Sequence, residues 1–471
     1  MHETNTIERP QPRLSTSMAM GIKNTLQCVV FLMALIMTHL IPPADADAGS
    51  PKVVMASSGA GSSFRLVAHH DYALRDDGFL QVQSRLDDLL PSEANVNTLR
   101  PPMASPIDMA FSVVVGLGSG KGRHDYNLKL DASGSLVWLQ CKPCNPKQPQ
   151  RGPLFDPKAS STFQQVAGTS QICHPPYPME PAGQQCSFHL SGEHGMSVHG
   201  FVALENLTMG PESMKELVFG CAHSTEHFNS QRTFAGVAAM GKMPTSLVMQ
   251  VAARGQTQFS YCLFSGGASR HGFLRFGADV PRRPGLRTTK ILPALDAHES
   301  QYYVSLVGIS LDAKRLTGVR PEMFARRHGG QGGCVIDPGT PLTVLVREAY
   351  RVVEEAVWSD LRRNRAERMQ RQGYGLCVRK TVEIKRHLQS LSFHFAEETA
   401  RLVVKPEQLF TVVESKLHGA ALCLAMIPGE RTVIGALQQV DTRFVYDLKD
   451  AKLSFVSEPC SQDTAGVEST E

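Results

Sequence analysis

The sequence predicts a mostly β protein of two similar lobes, and three observations point there. Short apolar runs recur between Gly and Pro turns from Met109 onward, at strand rather than helix length. Helical spacing is confined to a few places. One pattern also occurs twice, about a lobe apart: an apolar run that delivers a single aspartate into a turn of small residues. The first copy is L-K-L-D-A-S-G-S-L-V-W-L-Q-C, Leu128 to Cys141, and the second is C-V-I-D-P-G-T-P-L-T, Cys334 to Thr343. Asp131 and Asp337, face to face at two strand ends, have the chemistry to share one proton and activate a water between them.

The chain has 471 residues, 42% of them hydrophobic and 20% charged, which is ample for a large buried core. A net charge of +4 is too small and too dispersed to point to nucleic acid. Its densest basic run, Arg362 to Arg371, reads as a solvated helix face or loop.

In chain order, residues 1–48 read as a secretory signal. Arg9, Arg13 and Lys23 precede an apolar run from Cys28 to Ile41, and the small residues near Ala46 and Ala48 suit cleavage. That run is shorter than the ~20 residues a membrane span needs, so no stable membrane association is expected after cleavage. Residues 49–106 have mixed composition and no strong strand signal. Phe79 to Leu89 has helical spacing, and Pro101, Pro102 and Pro106 punctuate the stretch, which reads as a pro-segment or linker. Residues 107–285 and 286–464 are the two lobes, each with one aspartate, and 465–471 are a tail. Strands are expected at F-S-V-V-V-G-L-G, H-G-F-V-A-L-E-N-L-T, Q-Y-Y-V-S-L-V-G-I-S-L and R-F-V-Y-D-L. The clearest helices are Glu348 to Leu361 and a piece around Ser246 to Ala253.

Export changes the meaning of the cysteines. Cys28 lies in the apolar run, which leaves ten, and an even number in an exported chain favours disulfides over metal. Cys141-x-x-Cys144 with Cys173 and Cys186 lacks the second knuckle of a zinc ribbon. His189, His194 and His199 recur every five residues on a predicted hairpin, a spacing that predicts exposed turn histidines on different faces. No metal and no cofactor is expected. Asn206-Leu207-Thr208 is a glycosylation sequon.

An ordered series of segments between Asp108 and Cys460 resembles the pepsin-like aspartic endopeptidases of the plant nepenthesin type. It includes L-V-W-L-Q-C-K-P-C after the first aspartate, L-F-D-P-K-A-S-S-T-F, V-F-G-C, F-S-Y-C-L, C-L-A-M and I-G-A-L-Q-Q-V-D-T-R-F-V-Y-D-L. The resemblance implies a bilobal pepsin-like fold with a cleft between two β-lobes, and Asp131 and Asp337 as the pair that binds the attacking water. It further implies Gly339, Thr340 and Gly435 as supports of the catalytic loops, Gly192 and Gly195 in a flap hairpin, and a Cys377–Cys423 bridge.

The chain departs from the family pattern where the pattern matters. The family writes D-T-G-S at the first site, where this chain has Asp131-Ala132-Ser133-Gly134, and D-S-G or D-T-G at the second, where it has Asp337-Pro338-Gly339-Thr340. The hydroxyls that cross-link the family's two loops are therefore missing at Ala132 and Pro338. The serine that bonds the first aspartate is missing at Gly134. Gly192 stands at the flap tyrosine position, with Phe188 four residues upstream as a substitute only if the hairpin is shifted. Of the two apolar-apolar-Gly supports, Val433-Ile434-Gly435 is intact, whereas Val237-Ala238-Ala239 has lost its glycine. Lys147 and Gly168 stand where the family often has two more cysteines, a joint loss expected to leave no orphan thiol. The expectation is a secreted, monomeric aspartic endopeptidase made as a zymogen, acting on protein or peptide substrates at acidic pH in the cell wall, apoplast or vacuole. The alternative is a catalytically inactive relative that binds or inhibits a secreted glycosidase.

Overall fold

The computed structural model describes residues 62–69, 80–83 and 109–460, apart from 175–178, 193–194, 210–211, 229–233 and 265–271. The predicted signal, its cleavage positions, His194 and the tail lie outside the described residues.

The protein is built mostly of β-strands, arranged as the bilobal pepsin-like fold. Its largest sheet has fifteen strands. At the heart of that sheet, Ala110–Leu117 pairs antiparallel with His124–Asp131, the strand that ends on the first aspartate. In this strand Tyr126, Leu128 and Leu130 are buried, while Asn127, Lys129 and Asp131 on the opposite face are half-buried. The period of two thus sends one face into the core and delivers Asp131 to the other. Gly236–Ala239 runs parallel to it, with Ala239 beside Asp131.

The second aspartate follows a strand built the same way. Cys334–Ile336 pairs parallel with Thr432–Ile434 in a separate five-stranded sheet, and Asp337 comes next. The two sequence halves do not keep to their own sheets. Thr442–Asp447, near the C-terminus, pairs with Gln258–Cys262 of the first half, and Lys452–Ser457 and Arg287–Lys290 continue the same sheet. Backbone hydrogen bonds therefore tie the lobes together.

Two corrections concern residues 49–106. Ser62–His69 is a strand seated between Ala110–Leu117 and Gly272–Phe276, bonded antiparallel to both, with Leu66 wholly buried. Its composition gave no strand signal, because a ladder with a partner on each side is held by main-chain bonds that any residue can supply. Leu80–Gln83, inside the stretch with helical spacing, is a strand parallel to Phe410–Ser415. Here tertiary pairing overrides local periodicity.

The helices fall where their patterns place them. Arg347–Arg363 buries Ala349, Tyr350, Val353, Val357 and Leu361, a stripe at helical spacing. Leu247–Ala252 is capped by Ser246, whose hydroxyl accepts from the Met249 N–H at 3.3 Å. The basic run Arg362 to Arg371, which begins in the last turn of the longer helix, is not a uniformly solvated surface. Arg371 is buried and donates to the Gly419 carbonyl at 2.7 Å, and Arg368 pairs with Glu354 at 3.0 Å.

Four disulfides join Cys141 to Cys221, Cys173 to Cys186, Cys262 to Cys460, and Cys377 to Cys423. The last pair sits at directly opposed positions of adjacent antiparallel strands. Cys144 and Cys334 are free, so the expectation of no orphan thiol is corrected. Cys334 is fully buried in the strand before Asp337. Cys144 is half-buried, with Pro146 O, Gln140 Oε1 and Thr225 Oγ1 within bonding reach among the described residues. No cysteine fits at Gly168 without a shift, since a Cβ there would lie 2.9 Å from the Gln185 carbonyl oxygen.

Candidate active site

The two aspartate turns meet. The Ala132 N–H donates to Asp337 Oδ1 at 3.1 Å, across 205 residues of sequence. A Cβ placed on Gly339 would lie 2.9 Å from the Leu130 carbonyl oxygen and 3.3 Å from Asp131 Cα, so only glycine lets the loops approach this closely.

Each carboxylate is held by its own turn, but unequally. Asp131 Oδ1 accepts from the Ser133 N–H at 2.8 Å and the Gly134 N–H at 3.0 Å. Asp337 Oδ1 accepts from the Gly339 N–H at 2.9 Å as well as from Ala132, and its Oδ2 accepts from the Thr340 hydroxyl at 2.8 Å. Pro338 has no N–H, so the second loop cannot return to Asp131 the bond that Ala132 gives to Asp337. The cross-loop contact runs in one direction. Burial, followed by the adjacent Asp337 carboxylate, pushes the Asp131 carboxyl up to about 6, against the lowering effects of Lys129 and the two N–H bonds. Such a pair keeps one proton well into the mildly acidic range, which suits it to acid–base work on a bound water.

The supports beneath the turns differ too. Behind Asp337, the Asp337 N–H donates to the Ile434 carbonyl at 3.0 Å, and the Gly435 N–H donates to the Thr343 hydroxyl at 3.0 Å. A Cβ on Gly435 would lie 2.4 Å from the Leu342 carbonyl carbon, so this glycine is obligatory. Behind Asp131, Ala239 occupies the corresponding place. A Cβ on Gly134 would lie 2.9 Å from the Ala239 Cβ. A side chain at 134 and the methyl at 239 thus compete for the same space.

The first turn draws support from elsewhere, which the sequence did not reveal. The Ser300 hydroxyl donates to the Ser133 carbonyl, the Tyr302 hydroxyl donates to the Met240 carbonyl at 2.8 Å, and the Lys242 N–H donates to the Ser300 carbonyl at 2.6 Å. Ser300 and Tyr302 belong to the second half of the sequence. They clamp the first loop from across the molecule.

The predicted flap is the hairpin of Gln185–Ser191 with Ser197–Met209. Gly192 closes it through an N–H to the Met196 carbonyl at 3.0 Å, and Gly195 adopts a left-handed φ of +76°. Gly192 offers no side chain, and the Met196 side chain fills the space: a Cβ on Gly192 would lie 2.7 Å from Met196 Cε. Phe188 does not replace the tyrosine, because it is buried in the cluster with Leu136 and Trp138 beneath the hairpin. The histidine expectation is corrected in part: His189 and His199 are exposed, as expected, but not on different faces. His189 and His199 are directly opposed across the strands and stack with ring centroids 4.1 Å apart, so they share one face. A hairpin turn pairs residues by distance from the turn, which a fixed spacing along one strand does not capture. Asn206 is half-buried, with its Oδ1 accepting from the Glu216 N–H at 3.3 Å. Among the described residues, no group of three or more His, Cys, Asp or Glu is placed to hold a metal ion.

Residues 114–278 match the family model described as xylanase inhibitor N-terminal, and residues 301–457 match the one described as xylanase inhibitor C-terminal. The chain belongs to this plant pepsin-like aspartic protease family. Among its relatives, the aspartic proteinase nepenthesin-2 of Nepenthes gracilis is 28% identical over 381 residues, covering 79% of this chain and 82% of that protein. The aspartyl protease family protein 2 of Arabidopsis thaliana is 29% identical over 379 residues, covering 76% and 75% respectively. The crystal structure of EDGP superposes with a TM-score of 0.59 at 17% identity, over 86% of this chain and 96% of that one. Basic 7S globulin from soybean does so with a TM-score of 0.58 at 17% identity, over 75% and 95%. At that identity the likeness to these two structures carries the fold alone.

Proposed function

We propose that this chain is an aspartic endopeptidase whose water is activated between Asp131 and Asp337. The observation that carries the reading is the meeting of two strand-end carboxylates, one of them accepting the N–H of the other's turn. Donor count divides the roles. Asp337 takes two N–H bonds and a hydroxyl, one donor more than Asp131 receives, and is assigned the part of general base. Asp131, pushed up to about 6, is the protonated member and polarises the substrate carbonyl. The water attacks the peptide carbon as its proton passes to Asp337. Asp131 donates to the developing oxyanion, and the proton later reaches the leaving amine. No covalent intermediate forms. Cleavage requires a proton on the pair, so it declines as pH rises through about 6.

Export, zymogen processing and glycosylation at Asn206 belong to the same proposal. If residues 49–106 act as a pro-segment, their removal has to extract the strand at Ser62–His69 from between two neighbours. The second reading is an inactive binder. It is favoured by the absence of a hydroxyl at Gly134 and of a flap side chain at Gly192, and by the inhibitor name the family model carries.

Cleavage of a denatured protein by the full chain between about pH 2.5 and 7 separates the two. The expected outcome is acid-dependent cleavage, inhibited by a pepstatin-type compound and reduced on the order of 10³-fold or more by Asp131→Asn and by Asp337→Asn. A folded protein that cuts nothing across that range would sink the protease reading and leave the binder.

A further inference from the structure

The strand that delivers Asp131 carries a second charged residue on the same face. Lys129 lies two positions upstream, and the alternation of His124–Asp131 puts Asn127, Lys129 and Asp131 on the half-buried side, opposite the core residues Leu128 and Leu130. The neighbouring strand shows where that face looks. Val237 is the partner of Lys129, as Ala239 is of Asp131. Val237 packs with Leu136, Trp138 and Phe188 in the cluster beneath the Gln185–Met209 hairpin. Lys129 therefore lies beside both the aspartate and Val237 of the apolar cluster under the hairpin, within the electrostatic reach of Asp131. Among the described residues its ammonium makes no hydrogen bond or ion pair, although many other surface cations here are paired.

An unpaired, half-buried cation beside an apolar wall offers an anionic ligand group both a charge partner and a surface for its methylenes. Asp131 is a poor partner for it, since it holds the proton of the pair. We infer that Lys129 is a specificity-determining residue that accepts an acidic side chain of the bound peptide next to the scissile bond. This rests on the proposed placement of the substrate over Asp131. A glutamate on that residue would lay its methylenes along Val237 and bring its carboxylate to the Lys129 ammonium, which neutral and cationic side chains cannot do. The substrate class that follows is a peptide with Glu or Asp flanking the cleaved bond.

The test separates recognition from catalysis. Two peptides with a reduced, uncleavable amide at the scissile position, one carrying Glu and one Gln on the acyl side, are titrated against the wild-type chain and Lys129→Leu at about pH 5.5. Cleavage of the matching amide peptides is followed in parallel. The expected result is about tenfold tighter binding of the Glu peptide by the wild type and a ratio near one for Lys129→Leu. The leucine variant should also gain affinity for a third peptide with leucine at that position, a readout that misfolding would not produce. Tight, Glu-selective binding without cleavage would uphold the inference and overturn the proposed proteolysis. A Glu-to-Gln ratio unchanged in Lys129→Leu, or no binding of either peptide, would overturn the inference whatever the cleavage assay shows. A shift of the pH profile alone would mean that Lys129 only tunes Asp131, which also overturns it.

Discussion

The two aspartate turns are alike in sequence pattern but are held differently. At matching offsets, Thr340 faces Asp337 where Gly134 faces Asp131, Thr343 braces Gly435 where Val137 stands in the first half, and Gly435 is matched by Ala239. The second turn is held from within by hydroxyls. The first is held from without, by Ser300 and Tyr302 of the opposite half and by the packing of a methyl against a glycine. Asp337 receives two N–H donors and one hydroxyl, against the two N–H donors of Asp131, whose carboxyl burial and the neighbouring Asp337 push up.

The largest effect that would break this comparison concerns Asp131. Burial and Asp337 raise its carboxyl from 3.8 to about 6 in the folded chain. Between those values the native state binds a proton the unfolded chain has lost, so the contribution of this carboxyl to stability is most favourable below about 3.8 and falls as pH rises toward about 6. Asp131→Asn removes the cost of ionisation. It is expected to be more stable than wild type at about pH 7, by at most about 3 kcal/mol, and close to it at about pH 3. Urea unfolding at both pH values measures this, and equal stability near pH 7 would remove the asymmetry.

The space shared by residues 134 and 239 gives an effect of middling size. Gly134→Ser alone forces its Cβ against Ala239 and is expected to cost about 2 kcal/mol. Adding Ala239→Gly should recover that loss and, by supplying a hydroxyl to Asp131, lower the pH at which cleavage is half lost. Additive destabilisation in the double variant would show that the two positions are not coupled. The smallest effect is on the better-built side. Thr340→Val removes one hydroxyl from Asp337 and is expected to cost about 1.5 kcal/mol. A chevron or melting comparison would detect it, and no loss would mean that Oδ2 finds another donor.

Much of the site could be read in the chain. The two aspartates, their glycine and threonine neighbours and the missing hydroxyls are local features, because a strand of period two that ends in a small-residue turn is encoded within about ten residues. The long amphipathic helix at Arg347–Arg363 was legible for the same reason. What the sequence hid depends on which segments become neighbours. The stacking of His189 on His199 is set by hairpin register, and the free thiol of Cys144 by which partner lies within reach.

By itself the sequence determined two β-rich halves, one aspartate turn in each, and the family to which they belong. Tertiary structure alone decided that Ser62–His69 completes the central sheet, that residues 300–302 clamp a turn nearly 170 positions earlier, and that the face bearing Lys129 looks under the hairpin. Local pattern fixes which side of a strand is polar, through sterics and burial. Which polar side faces a cleft, and which distant backbone closes a ladder, is settled only when long loops have been brought together and every buried N–H and C=O has found its partner.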